Sequence, residues 1–116
     1  MAPRITFNVL RVLSTLLGDP YRLWYGLELA EDTALPAGTV YAILARLERQ
    51  LRWVSSSLED IDPSAEGRPK RRLYRLTGDG QIAARDAVDR AQRELDVECR
   101  ETQRRAPSAH GGVLPI

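Results

Sequence analysis

The stretch that most constrains the fold is residues 36–50, PAGTVYAILARLERQ. Pro36 suits a first helical turn, because its missing N–H would have no intrahelical partner there. Apolar residues at helical spacing predict one buried face, formed by Val40, Ile43, Leu44 and Leu47. The other face begins with small or hydroxyl-bearing residues and ends with guanidinium groups: Ala37, Gly38, Thr39, Tyr41, Arg46 and Arg49. Such a face can enter a groove closely and bond to phosphates or guanine edges.

A shorter helix is predicted just upstream, over Leu27 to Thr33 (LELAEDT), and only a few residues separate it from the first stretch. This is the spacing of a helix-turn-helix, in which the first helix braces the second across a DNA groove. We therefore expect a mainly α-helical domain in which residues 36–50 form a recognition helix.

The chain of 116 residues fits one domain, or one domain with an extension. Its core is too modest to stand far above marginal stability unless a second subunit adds burial. The 17 basic and 16 acidic residues give a net charge of only +1, which does not by itself indicate a nucleic-acid binder. The distribution of charge does indicate a nucleic-acid binder, because Glu66 to Arg75 holds five basic residues and one acidic residue.

Cys99 is the only cysteine, so neither an intrachain disulfide framework nor a cysteine metal cluster is expected. A reducing compartment, the cytoplasm, is the natural expectation. Arg11 interrupts the apolar N-terminal run, no small-residue cleavage site follows it, and no window approaches a membrane span. We expect no secretory signal, no membrane contact, no cofactor and no metal.

The first helix is predicted over residues 6–17, with Thr6 as its N-cap and Gly18 as its stop. It is apolar over most of its circumference, so it needs cover on more than one side. Either it lies in the middle of a bundle or it contacts a partner subunit. Two readings also exist for the aromatic residues that follow, Tyr21, Trp24 and Tyr25: all three fill the core, or Tyr25 reaches a phosphate.

Two short strands are predicted after the recognition helix, over residues 53–58 and 72–76, joined by a polar loop. Directly behind a helix-turn-helix, such a hairpin is a wing. Its basic residues would lie along phosphate or enter the minor groove: Arg68, Lys70, Arg71 and Arg72. The alternative is a solvated basic hairpin without a partner. The loop carboxylates are expected to be solvated rather than catalytic: Glu59, Asp60 and Asp62.

The last element is predicted to be a helix with Thr77 as its N-cap. It is expected to continue as one long helix to about Arg105, because the stretch lacks proline and is rich in Ala, Arg, Glu and Gln. A thin apolar seam along it, together with two residues of the first helix, is the expected dimer interface: Ile82, Ala84, Val88, Ala91 and Leu95, with Phe7 and Leu10. The alternative is a solvated helix folded back on its own domain.

The expected organisation is a winged helix-turn-helix over residues 1–76, a dimerisation helix over residues 77–105 and a disordered tail over residues 106–116. His110 lies in that tail and is expected to be an incidental surface residue. The fold class is mainly α with a small β-hairpin.

Two segments carry a resemblance to a known family: LPAGTVYAILARLE, residues 35–48, and GRPKRRLYRLTGDG, residues 67–80. With both segments in the right order, the chain resembles the PadR-like family of winged-helix transcriptional regulators over roughly Phe7 to Leu95. The resemblance implies a dimeric repressor whose recognition helix enters the major groove of a palindromic operator, whose wing touches the adjacent minor groove and whose C-terminal helix builds the dimer. It also implies that a small, often aromatic, effector can release the DNA.

The family's DNA-facing positions fall on four residues of the recognition helix and three of the wing: Ala37, Gly38, Thr39, Tyr41, Arg68, Lys70 and Arg71. We expect Tyr25 and Arg46 to contact the phosphate backbone as well. Effectors of related regulators stack on aromatic residues in a dimer cavity. Besides the tyrosines, Phe7, Trp24 and Trp53 are the candidates here, of which the two tryptophans are preferred, and filling the core is the simpler role for most of them.

The chain departs from the family pattern after the recognition helix. The family commonly has a glycine there, whereas residues 48–54 read ERQLRWV. A left-handed turn costs a residue other than glycine ~1 kcal/mol or more. Either the helix continues or the turn differs, which leaves the angle of the wing open.

Two other classes of function are alternatives to a DNA-binding regulator. A winged helix can bind another protein without contacting DNA, in which case the basic wing would meet an acidic surface. An enzyme is the poorer alternative, because the chain has no paired Cys and His, no glycine-rich phosphate loop followed by Lys and Ser or Thr, and a single His.

Overall fold

A computed structural model describes residues 4–105 of the chain. Within this part, the elements follow in the order α1 (Phe7–Gly18), β1 (Trp24–Tyr25), α2 (Gly26–Thr33), α3 (Ala37–Arg49), β2 (Val54–Leu58), α4 (Pro63–Glu66), β3 (Arg72–Leu76) and α5 (Gly78–Arg105). The fold class predicted from the sequence is confirmed. The predicted tail, including His110, lies outside the described residues.

Helix α1 begins and ends as predicted. The Thr6 hydroxyl accepts a hydrogen bond of 3.2 Å from the backbone N–H of Val9, and the helix ends at Gly18. One face of α1 is buried in the core: Val9, Val12, Leu13 and Leu16. The opposite side is open, and Phe7 is 72% exposed. The protomer therefore covers α1 on one side only and does not enclose it in a bundle.

Helices α2 and α3 form the predicted helix-turn-helix. At the start of α2, the Glu28 carboxylate accepts a 2.8 Å hydrogen bond from the backbone N–H of Tyr25. Ala34 ends the helix in the left-handed conformation, with φ of 58°. Pro36 is the N-cap of α3 and lies just outside the first turn in which we had expected it. Its extended backbone favours this position, because the residue before a helix has non-helical dihedral angles.

The turn after α3 is left-handed, but later in the chain than the family pattern indicates. Helix α3 ends at Arg49, and Arg52 has φ of 57°. The turn is held by two hydrogen bonds of 2.9 Å, one from the N–H of Trp53 to the carbonyl of Leu47 and one from the Thr77 hydroxyl to the carbonyl of Arg52. A strained residue is thus retained where its neighbours fix the backbone.

The wing belongs to a three-stranded antiparallel sheet in the order β1-β3-β2. Trp24 lies opposite Tyr74, and Val54 lies opposite Leu76. The prediction of a two-stranded hairpin was therefore incomplete, because the two residues of β1 are too few to show an alternating pattern. The predicted loop contains the single-turn helix α4, capped by a 3.0 Å hydrogen bond from the N–H of Ser64 to the Asp62 carboxylate.

Helix α5 begins in close contact with the base of the wing. The Thr77 hydroxyl caps it by accepting a 2.9 Å hydrogen bond from the N–H of Gly80, as the sequence predicts. A Cβ on Gly80 would lie 1.8 Å from the carbonyl oxygen of Trp53, so only glycine fits there. Ala84, about one turn after Gly80, is completely buried in the core shared with α1, α2 and α3. The first turns of the predicted dimerisation helix are thus packed as part of the winged unit.

Candidate nucleic-acid interface

The exposed face of α3 is the first part of the candidate interface. The helix buries Val40, Leu44 and Leu47. At about 100° per residue, the opposite side carries small residues, an aromatic ring and a guanidinium group. The exposed residues on this side are Gly38, Tyr41, Ala42 and Arg49. Of the other predicted positions, Ala37 and Thr39 are half-buried at the edge of this face.

Tyr41 is supported from below by Gly26. A Cβ on Gly26 would lie 2.3 Å from the Tyr41 ring and 2.8 Å from its hydroxyl oxygen, so the ring rests directly on the first turn of α2. Tyr41 is still 42% exposed. The absence of a side chain at Gly26 thus gives the aromatic ring a firm base on the outside of the helix-turn-helix.

Arg46 lies on the flank of α3 and is engaged within the protomer. Its guanidinium group donates a 2.7 Å hydrogen bond to the backbone carbonyl of Arg4. The side chain therefore connects the recognition helix to the segment before α1, instead of extending freely from the helix as the predicted phosphate contact requires.

The end of the wing loop and the first residue of β3 present three exposed basic residues, Lys70, Arg71 and Arg72. The Arg72 guanidinium donates a 3.1 Å hydrogen bond to the Ser56 hydroxyl, which in turn donates one of 2.5 Å to the Glu48 carboxylate on α3. The wing and the recognition helix are thereby linked at their facing surfaces.

Arg68, predicted to be a DNA contact, is instead bound to Glu59. Its two terminal nitrogens lie 2.6 and 3.1 Å from the two carboxylate oxygens of Glu59. Glu59 is only 8% exposed, so the prediction that it is solvated was wrong. Pattern alone could not show this, because the loop had to fold before the two side chains could meet.

Tyr25 is also engaged within the protomer. Its hydroxyl donates a 3.2 Å hydrogen bond to Glu59, and the guanidinium carbon of Arg71 lies 4.6 Å from the centre of its ring. The hydrogen bonds from Arg68, ahead of those from the Arg71 N–H and Tyr25, outweigh burial and lower the pKa of Glu59 to about 2. The carboxylate therefore stays ionised at neutral pH.

A groove of about 750 Å³ separates α3 from the sheet. Tyr41 and Arg49 of the helix line it together with Arg52 of the turn and Arg72 of the wing. Arg52 was not among the predicted contacts. No pattern in the sequence marks it, because its direction follows from the left-handed turn. A second groove, of about 390 Å³, lies between α2 and the wing, and Tyr41 and Arg72 line this one too.

The predicted dimer residues do not form a single seam. Ala84 is buried in the core of its own protomer and cannot reach a partner. About two and a half helical turns separate Ile82 from Ala91, which places Ile82 on the opposite side of α5. The remaining residues lie along a shallow groove between α1 and α5 or beside it: Phe7, Leu10, Val88, Ala91 and Leu95.

The two tryptophans occupy different surroundings. Trp24 is buried and is covered by the guanidinium group of Arg22, whose carbon lies 3.7 Å from the ring centre, so it cannot stack on a ligand. Trp53 is half-buried and lines a groove of about 350 Å³ between α1 and α5. Apolar Leu10 and Ala87 line the same groove, whose rim carries Asp86, Arg90 and Glu94.

Two findings concern other kinds of site. Over residues 4–105, no group of three or more His, Cys, Asp or Glu side chains is placed to hold a metal ion. None of the helices in this range combines the length and the apolar character that crossing a bilayer requires.

Comparison with solved structures identifies similar folds. A mutant of ZitR from Lactococcus lactis superposes with a TM-score of 0.66 at 16% identity, over 91% of this chain and 66% of that one. BpsR from Bordetella bronchiseptica, whose DNA binding is regulated by 6-hydroxynicotinic acid, gives 0.64 at 21% identity, over 98% and 73%. A mutant of MepR from a multidrug resistant S. aureus clinical isolate gives 0.58 at 20% identity, over 71% and 54%. The chain thus spans about two-thirds of ZitR, and at these identities the likeness concerns the fold.

Comparison of the sequence identifies the family. None of the curated proteins matches the chain. The transcriptional regulator PadR-like family matches it over residues 10–86, which include the helix-turn-helix, the wing and the first turns of α5. The resemblance seen in the recognition helix and the wing is confirmed, and the chain belongs to the PadR-like family of transcriptional regulators.

Proposed function

We propose that the protein binds double-stranded DNA as a dimer and represses its own or neighbouring genes. The observation that carries this proposal is that Tyr41 of α3 and Arg72 of the wing line the same two grooves. The recognition helix and the basic wing therefore belong to one continuous surface, on which a single duplex can contact both.

The two parts of this surface have different roles. The small residues Gly38 and Ala42 let α3 approach base edges closely, and Tyr41 and Thr39 supply hydroxyl groups beside them. The wing supplies phosphate contacts through Lys70, Arg71 and Arg72. Arg49 and Arg52, in the groove between helix and wing, add positive charge where a phosphate backbone would pass.

A salt titration of DNA binding tests the wing. We expect the double variant Lys70→Ala, Arg71→Ala to weaken binding to all duplexes and to reduce the slope of log K against log salt by up to about 2, since each phosphate contact contributes about 0.9. Fluorescence anisotropy with genomic fragments retained by the protein gives both quantities.

The matched control removes the same charge from the far end of α5, through Arg104→Ala with Arg105→Ala. Both residues are exposed and distant in sequence from the wing. Equal salt slopes in the wing variant and this control would contradict the proposed phosphate contacts. Thr39→Ala and Tyr41→Phe should instead change which duplex is preferred, because their hydroxyl groups lie on the recognition helix.

The proposed dimer uses the open side of α1 and the adjoining part of α5. Phe7 and Leu95 are 72% and 55% exposed, and Leu10, Val88 and Ala91 lie between them half-buried. An exposed apolar surface of this kind is stabilised by contact with a second copy. Twofold symmetry would then bring two recognition helices to the two halves of a palindromic operator.

A small planar effector is proposed to bind beside Trp53. The groove there combines an aromatic ring with an apolar floor and a charged rim, as ligand sites commonly do. The regulation of BpsR by 6-hydroxynicotinic acid gives a first probe. We expect 6-hydroxynicotinic acid or another planar aromatic compound to quench the fluorescence of a Trp24→Phe variant, in which Trp53 is the only tryptophan. The Trp53→Phe variant should give no response.

A role as a protein-binding adaptor is the second candidate. It is favoured only by the shape of the basic wing, which an acidic protein surface could also match. Absence of salt-dependent binding to any duplex, including fragments from beside its own gene, would favour the adaptor over the regulator.

A further inference from the structure

The wing loop buries an acidic side chain, Glu59. Its neighbours Leu58 and Asp60 are both exposed, whereas Glu59 keeps only 8% of its surface in contact with solvent. Removing a carboxylate from water is costly unless donors and an opposite charge replace its hydration. The protein must therefore supply several donors at this one position.

Four hydrogen bonds reach the Glu59 carboxylate. Arg68 donates two, at 2.6 and 3.1 Å, and the backbone N–H of Arg71 donates one at 2.9 Å. The hydroxyl of Tyr25 donates the fourth, at 3.2 Å. We call these residues the Glu59 cluster: Glu59, Arg68, Arg71 and Tyr25. The cluster joins the end of β2, the segment before β3 and the residue before α2.

The cluster fixes the wing at more than one point. The backbone N–H of Glu59 donates a 2.9 Å hydrogen bond to the carbonyl of Arg71, which continues the pairing of the two strands. The guanidinium group of Arg71 lies over the Tyr25 ring. Lys70 lies between Arg68 and Arg71 in the chain and is exposed. The direction of Lys70 from the wing therefore depends on where the cluster holds its two neighbours.

We propose that Arg68 and Glu59 act as positioning residues, which hold the wing at the angle required for DNA binding, and that Arg68 does not contact DNA. This inference rests on the proposed DNA-binding function. Both terminal nitrogens of Arg68 are committed to Glu59. If Arg68 turned to a phosphate, it would leave a buried carboxylate without its opposite charge, which is strongly unfavourable. Phosphate contacts on the wing are left to Lys70, Arg71 and Arg72.

A double-mutant cycle in DNA affinity tests this role. The variants are Glu59→Gln, Arg68→Gln, the two combined, and Lys70→Gln as a control that removes a nearby exposed charge. Affinity for a duplex selected by the wild-type protein from a random-sequence pool is measured at several salt concentrations. The thermal unfolding midpoint of each variant identifies a temperature at which all are folded.

We expect Glu59→Gln and Arg68→Gln each to weaken binding by about tenfold, and the combined variant to be no weaker than either, because both changes remove the same support. The salt slope should stay at the wild-type value in all three, since Arg68 releases no counterion from a phosphate. Lys70→Gln should lower the slope by about 0.9.

Two results would overturn the inference, and they can be told apart. If the wild-type protein binds duplex but Arg68→Gln lowers the salt slope and its effect adds to that of Glu59→Gln, Arg68 is a phosphate contact and only the inference fails. If the wild-type protein binds no duplex at any salt concentration, the proposed function fails as well.

Discussion

At the scale of single residues, Arg52 shows how a missing glycine is replaced. The left-handed turn after the recognition helix forms without one, because hydrogen bonds from the Trp53 N–H and from the Thr77 hydroxyl fix the peptide group that follows Arg52. The sequence shows that the chain must turn between Gln50 and Val54 without the glycine that the family commonly has there. It could not predict which residue adopts the left-handed conformation, since that depends on contacts with a threonine 25 residues further along the chain.

Two glycines near the start of α5, Gly80 and Gly78, should respond differently to substitution by alanine. Gly80→Ala should lower the free energy of unfolding by roughly 3 kcal/mol, because its Cβ would overlap a backbone carbonyl that cannot move away like a flexible side chain. Gly78→Ala, two residues earlier, meets nothing within 4 Å and should be neutral or slightly stabilising. Chemical denaturation measures both, and a similar loss in the two variants would contradict the close contact described here.

Single residues of the candidate site were predicted unevenly. Tyr41 and Lys70 could be placed on exposed surfaces from helical spacing and from the position of the wing, and they are exposed. Arg68 and Glu59 could not be assigned to each other, because choosing ion-pair partners within a run of charged residues requires the path of the loop. Ala84 was assigned to the wrong surface, since an alanine at helical spacing fits a core as well as a dimer.

At the scale of elements, the helices were predictable and the sheet only in part. Strong periodicity and capping residues located α1, α3 and α5 to within a residue or two. Strand β1 has two residues, too few for any periodicity, and exists because β3 offers it a partner. Helix α4 is a single turn that depends on Asp62 and on the left-handed Gly67.

At the scale of elements, we predict that acid destabilises the wing. The pKa of Glu59 is lowered from 4.5 to about 2, mainly by the side-chain hydrogen bonds from Arg68. A lowered pKa stabilises the folded state fully above about pH 4.5, and this contribution is lost as the pH falls towards 2. The wild-type protein should therefore lose more stability over this range than Glu59→Gln, when denaturation midpoints are compared.

Asp60→Asn serves as the control for that comparison, because Asp60 is adjacent to Glu59 but exposed. This variant should follow the pH dependence of the wild-type protein. Parallel curves for the wild type and Glu59→Gln would show that the carboxylate does not stabilise the folded wing through its ionised form.

At the scale of the whole molecule, the elongated shape shows that the end of α5 has no packing partner within the described part of the protomer. Its principal extents are 68, 41 and 23 Å, because α5 continues well beyond the winged unit. From Gln92 to Arg105 every residue of α5 is exposed, including Leu95 and Val97. A helix of this length gains little from its own domain and is most simply stabilised by a second copy.

Assembly can be tested with two apolar residues of the open face. We expect Phe7→Glu and Leu95→Glu each to raise the dimer dissociation constant by roughly tenfold or more, because a charge would be buried against a partner. Sedimentation equilibrium measures the constant. The control is Tyr21→Glu, since Tyr21 is equally exposed, at 76%, but lies outside the proposed face. Equal effects at all three positions would place the dimer contact elsewhere.

The junction at Trp53 has a consequence for control of the molecule. The carbonyl oxygen of Trp53 accepts a 2.9 Å hydrogen bond from the N–H of Thr77 and lies against Gly80. The end of α3, the start of the wing and the start of α5 are therefore held together. Such a clamp leaves no hinge between the part that would read DNA and the part that would pair protomers. An effector bound beside Trp53 would therefore move the helix-turn-helix and the wing of each protomer together with α5. DNA binding would be lost because the distance between the two recognition helices of the dimer changes, while the wing itself keeps its structure.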